Sequence, residues 1–110
     1  MPRLVCYPTA DQTVIAELTE SEVTIGRHPS NTIALTGHWI HKHHAALRRE
    51  PDGSYRLFDL MYRNVVMLHG QPIPEQGAVL QHGDDFTIAD IRFRYRDWDR
   101  APAGFVRTVT

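Results

Sequence analysis

Chain-breaking residues are scattered evenly along this sequence, and that scatter constrains the fold more than any other feature. Seven prolines and seven glycines are spread over 110 residues. No segment between them carries a sustained helical stripe of apolar residues. What remains are short runs with strand character, each bounded by turn residues. Strands are expected at Arg3–Tyr7, ending at Pro8, and at Thr13–Leu18, Val23–Ile25, Thr32–Leu35 and Ala45–Arg49. Pro51-Asp52-Gly53-Ser54 reads as a hairpin turn into Tyr55–Asp59. Val65–Leu68 runs into the turn His69-Gly70, and Ala78–Leu80 and Phe86–Ile88 bracket the turn Gln81–Asp84. In Ile91–Arg96 the apolar residues fall on one face and three arginines on the other. Roughly ten strands with turns every eight to twelve residues describe a β-sandwich or barrel.

The length allows one domain with its own core. Apolar residues are 42% and charged residues 23%, an ordinary soluble balance. Twelve basic and 13 acidic residues leave a net charge of -1, which speaks against a broad nucleic-acid footprint. No apolar run is long enough to cross a bilayer, and the first eight residues carry no signal-peptide core. Cytoplasmic residence is the expectation, and the lack of an N-terminal linker favours a domain that begins its chain. Cys6, the single cysteine, excludes an internal disulfide and reads as a small core residue. A homo-oligomer is possible but not indicated by the sequence.

The distribution of charge is more telling than its sum. Between Glu22 and Glu50 there is no carboxylate, while the interval holds Arg27, Lys42, Arg48, Arg49 and five histidines. A second acid-free interval, Leu60–Pro74, holds Arg63 and His69. A neutral chain can therefore carry one anion-attracting face. Arg48, Arg49, Arg92, Arg94 and Arg96 read as solvated strand faces. Arg27, Lys42 and Arg63 fall in turns, where binding residues concentrate, beside Gly26, His41 and Asn64.

The order of motifs is Gly26-Arg27, Asn31-Thr32-Ile33-Ala34-Leu35, Ile40-His41-Lys42-His43-His44-Ala45, Asp59-Leu60, Asn64 and Gly83-Asp84. In that order and spacing it resembles a forkhead-associated (FHA) domain, over about residues 3–96. The resemblance implies an all-β sandwich of eleven mainly antiparallel strands, with a C-terminal tail over 97–110. It implies a non-enzymatic module whose loops bind a phosphothreonine protein or peptide in signalling. Carried across, Arg27 contacts the peptide, Lys42 lies next to the phosphate and Asn64 holds the peptide backbone. Gly26, His44 and Asp59 support the loops, with His44 a scaffold residue beneath them. Asp59 is also expected to hydrogen-bond the loop that follows it. A handful of charged hydrogen bonds, each about 1.5–3 kcal/mol, gives micromolar affinity.

The sequence departs from the family pattern at its small hydroxyl donors. The phosphate-binding serine is His41, the serine of the Asp-Leu-x-Ser-x-Asn motif is Tyr62, and the glycine and threonine after Asn64 are Val65 and Val66. The position just before Asn64 is Arg63, and the late Asn-Gly turn is His69-Gly70. One reading keeps an anion site in which His41 and Arg63 supply donors and binding strengthens as pH falls. The alternative is a degenerate FHA domain acting as a phosphate-independent scaffold or oligomerisation module.

Other chemistries fare worse. The run His38–His44 invites a metal, but its spacing fits no zinc motif and no cysteine or nearby carboxylate completes it. No metal or other cofactor is expected. Ser30, Ser54 and Cys6 lie in no nucleophile context, and the Gly26-Arg27 loop is not a nucleotide loop. Trp39 reads as a packed loop anchor, and Thr108 and Thr110 as candidate phosphorylation sites in the tail.

Overall fold

The computed structural model describes residues 2–36, 40–61 and 66–101. Among the described residues there are eleven strands: β1 (Arg3–Thr9), β2 (Gln12–Glu17), β3 (Glu22–Gly26), β4 (Ile33–Ala34), β5 (Ala45–Arg49), β6 (Tyr55–Asp59), β7 (Val66–Leu68), β8 (Gln71–Pro72), β9 (Ala78–Val79), β10 (Asp85–Ile88) and β11 (Ile91–Arg96). They form two sheets, in the orders β2-β1-β11-β10-β7-β8 and β4-β3-β5-β6-β9. Every pairing is antiparallel except β3 with β4. The expected all-β sandwich of mainly antiparallel strands is thus observed, and among the described residues no helix is long and apolar enough to span a membrane.

The core lies between the inner faces of the sheets. Leu4, Cys6, Phe86, Ile88, Phe93 and Tyr95 from the first sheet meet Val23, Ile25, Ala45, Leu47, Tyr55 and Leu57 from the second. Phe86 and Phe93, directly paired across β10 and β11, stack with centroids 5.0 Å apart. Burial pushes the Cys6 thiol up to about 11, so it is an inert apolar filler.

Several boundaries differ from the sequence expectation. β1 runs past Pro8 because the β1–β2 register shifts between Cys6 and Thr9, where the missing proline N–H costs no ladder bond. The two-residue β8 was not expected, having no apolar alternation to announce it. The Pro51–Ser54 turn forms as read: Gly53 takes a positive φ of 92° and its N–H donates to Glu50 O at 2.9 Å.

The segment expected to begin a tail at Asp97 starts as part of the packed body. Asp97 is buried, and its N–H donates to His82 Nδ1 at 2.9 Å. Its carboxylate accepts from Tyr95 Oη and Arg100 Nη1, each at 3.3 Å. Trp98 opens a short 3₁₀ turn and packs on the His82 ring, centroids 4.0 Å apart. Arg100 Nη2 reaches Asp52 O in the opposite sheet's hairpin. Phe105, Thr108 and Thr110 lie outside the described residues.

Candidate functional site: a cationic loop cluster at one end of the sandwich

The site is built where β3 and β5 stop pairing and their chains continue as loops. His44 N–H still donates to Ile25 O at 2.9 Å. Beyond it, Arg27 N–H donates to His41 O (2.9 Å) and His28 N–H to Lys42 O (3.3 Å). These bonds hold Arg27 alongside His41 and Lys42, so residues far apart in sequence share one rim.

Gly26 makes that approach possible. A Cβ there would overlap the Lys42 carbonyl oxygen and lie 2.9 Å from Asn31 Nδ2. The β3–β4 loop then turns at His28–Asn31, closed by Asn31 N–H to His28 O at 3.0 Å with Pro29 at the favoured second position.

Asn31 is buried and ties the two loops together. Its Nδ2 donates to His28 O (2.8 Å) and to Lys42 O (2.6 Å). Those donations leave Oδ1 as the acceptor, so His43 Nδ1, 3.1 Å away, must carry the proton. Ser30 N–H donates to His28 Nδ1 at 3.0 Å, which assigns that ring the opposite tautomer.

His44 lies beneath, fully buried. Its Nδ1 accepts from His41 N–H at 3.3 Å, which assigns its proton to Nε2. Burial, with a smaller contribution from the neighbouring His41, pushes the His44 imidazole below the usual histidine value, while Asp59 acts the other way. The ring is therefore a neutral acceptor that shapes the His41–Lys42 turn. Asp59, also buried, anchors both ends of the next loop: Oδ1 accepts from Met61 N–H (2.9 Å) and Oδ2 from Val66 N–H (3.3 Å).

The result is an open depression of about 470 Å³ lined by Arg27, Ile40, His41, Lys42, His43 and Met61. Arg27, His41, Lys42 and His43 are exposed, and among the described residues no carboxylate lines it. Among the described residues neither Arg27 nor Lys42 is in an ion pair. By contrast, Arg48 pairs with Glu22 and Arg94 with Asp85 on the outer strand faces. A surface with free cations and no competing acid favours an anionic ligand.

Of the residues singled out from sequence, Arg27, His41 and Lys42 converge on the depression, and Gly26, His44 and Asp59 lie behind it. Tyr62, Arg63, Asn64 and Val65 lie outside the described residues, as do His38 and Trp39. Sequence reasoning missed Asn31 as a tie between loops and Met61 as a lining residue. A short polar side chain beside a proline turn was the available signal for Asn31. Within the histidine run, the His43 and His44 rings bond to the loops as scaffolding. Among the described residues no three His, Cys, Asp or Glu side chains converge to hold a metal ion.

The FHA domain family model matches residues 23–89, which include the loops described above. No curated protein matches the chain. Among solved structures, the FHA domain of CT664 from Chlamydia trachomatis superposes with a TM-score of 0.79 at 21% identity, covering 88% of this chain and 97% of that one. The cytoplasmic domain of PscD, a type III secretion sorting-platform protein of P. aeruginosa, gives 0.74 at 23% identity, covering 99% and 94%. Mycobacterium tuberculosis EmbR, in complex with a low-affinity phosphopeptide, gives 0.72 at 22% identity, covering 94% of this chain and 26% of EmbR. Fold, loop architecture and family match agree: the chain belongs to the FHA domain family.

Proposed function

We propose that the chain is a non-enzymatic interaction module that recognises a phosphothreonine-containing protein partner. The observation that carries this reading is the acid-free depression in which Arg27, His41 and Lys42 are held side by side by main-chain bonds. A phosphothreonine phosphate carries about 1.5–2 negative charges at pH 7 and three acceptor oxygens. Such a group needs donors converging from fixed loops, with no carboxylate to repel it. Arg27 supplies a planar fork, Lys42 a point charge, and His41 one donor when neutral and a charge when protonated. Arg63 and Asn64 complete the site from the loop that Asp59 anchors, Arg63 as a second fork and Asn64 on the peptide backbone. A role in cytoplasmic signalling goes with this reading. The phosphopeptide complex of EmbR, a fold neighbour, lends it support. The test is titration with a phosphothreonine peptide library and its unphosphorylated twin. Binding that needs the phosphate and is lost in Arg27→Ala supports the reading.

A second reading has one observation behind it. Val66, at the family's threonine position, is fully buried and pairs with Ile88 in the core. That position offers no hydroxyl to a ligand. Binding of a partner with equal strength in both phosphorylation states would favour a phosphate-independent scaffold.

A further inference from the structure

Among the described residues the sandwich has four sheet edges, and three of them are blunt. β4, β8 and β9 are two residues each, and β8 ends in Pro72. Short edges and prolines are the usual protection against edge pairing. β2 is the exception. It is six residues long, Gln12–Glu17, and among the described residues it pairs with β1 alone. It contains no proline or lysine, and its one charge, Glu17, is at its end and paired with Arg3 at 3.2 Å. It also carries Val14 and Ile15, two of the three large apolar side chains exposed among the described residues, 49% and 57% accessible.

The hydrogen-bond phase of β2 can be read from its pairing. Arg3 lies opposite Glu17 and Leu4 opposite Ala16, so Pro2 lies opposite Leu18, whose N–H donates to Pro2 O at 2.9 Å. Hydrogen-bonded pairs alternate in an antiparallel ladder. Leu18, Ala16 and Val14 therefore turn their main-chain groups toward β1. Thr13, Ile15 and Glu17 turn theirs outward.

We infer that the outer edge of β2 is a docking surface for β2 of a second copy of this chain, paired antiparallel about Ile15. A two-fold axis normal to the sheet sets each residue against its own kind or against one an even number of positions away, because facing must match. Centring on Ile15 pairs Ile15 with Ile15 and Thr13 with Glu17, so all three outward residues meet outward residues. Val14 then faces Ala16, and no like charges oppose. This gives six main-chain hydrogen bonds, two in the Ile15 pair and two in each flanking Thr13–Glu17 pair. The competing register, centred on Val14, sets Asp11 against Glu17 and is disfavoured by like-charge opposition. The two six-stranded sheets become one continuous sheet. β2 contributes no residue to the cationic depression, so the pairing would make a module with two separate peptide sites.

The test is sedimentation of the full chain from ~1 μM to ~1 mM, where mass action makes pairing visible. A dimer that grows with concentration is expected. Ile15→Lys should make it monomeric. Ile15→Pro should do the same, since it removes an outward N–H and leaves the bonds to β1 intact. Oxidation of Ile15→Cys should trap a covalent dimer, because a hydrogen-bonded pair sits about 5.5 Å apart between Cα atoms. Val14→Cys should not, its mates being diagonal at about 7–8 Å. Cys6 is buried and does not compete. A native chain that stays monomeric throughout, or a dimer that survives Ile15→Lys, overturns the inference. So does cross-linking through Val14→Cys alone, or dimerisation that appears only once residues 102–110 are removed, since the tail would then be the native occupant.

Discussion

Asn31 Nδ2 donates to the Lys42 carbonyl oxygen at 2.6 Å while its Oδ1 accepts from His43, so one buried amide joins the loops that carry Arg27 and Lys42. Removing it leaves the Lys42 and His28 carbonyls short of a donor. Asn31→Ala is expected to cost about 1–3 kcal/mol of stability, the usual penalty for stranding buried polar groups. It should also weaken peptide binding, because the rim is no longer held in register. Chemical denaturation alongside a binding titration separates the two effects.

The β3 terminus tolerates no side chain at Gly26. In Gly26→Ala the new methyl meets the Lys42 carbonyl, which is main chain and cannot swing aside. The two loops must part. Destabilisation of about 1–3 kcal/mol is expected, as for other overpacked sites. A heteronuclear spectrum should show shifts concentrated in residues 26–31 and 40–44. An unshifted Lys42 amide would contradict the packing described.

His44 makes folding sensitive to acid. Its ring is held neutral, with a pKa below the usual 6.5, chiefly by burial and then by His41, while Asp59 opposes them. The unfolded chain takes up a proton on this ring near pH 6.5 and the folded chain resists it. The stability tied to neutral His44 is therefore complete above about pH 6.5 and declines as pH falls below it. His44→Asn, which keeps an acceptor for the His41 N–H, should be less stable at pH 8 yet lose less on going to pH 5. Melting temperatures of both proteins across that range provide the check.

The C-terminal latch sets where the chain can be cut. Ending it at Arg96 removes Asp97, the acceptor for the buried Tyr95 hydroxyl, and Arg100, which reaches across to Asp52. Burial, reinforced by the Asp97 carboxylate, holds that hydroxyl in its neutral, donating form. A chain ending at Arg96 should be about 1–3 kcal/mol less stable than one ending at Ala101. Equal urea midpoints for the two would contradict the latch.

Much of the fold was legible because strands leave a period-two trace. Ile91–Arg96 alternates buried side chains with arginines that are exposed (Arg92) or half-buried (Arg94, Arg96), and the arginines lie on the outer face as read. β8 was not legible, since two residues cannot show a period. Nor was the passage of β1 through Pro8, which depends on a register shift that only the pairing of β1 with β2 reveals. At the site, Gly26, Arg27, Lys42 and His44 were legible from their order and spacing, and Asn31 was not recognised as a tie. Its role comes from contact with a carbonyl eleven residues away, a relation that local pattern does not encode. The edge chemistry of β2 was likewise hidden, because alternation along a strand does not say which of its amides find partners.

The most direct test of the central claim is calorimetric titration of the chain with phosphothreonine peptides and their unphosphorylated twins. We expect micromolar binding that requires the phosphate and weakens at least about tenfold in Arg27→Ala. Equal binding of both peptide forms, or none by a folded chain, would contradict phosphate recognition at this site.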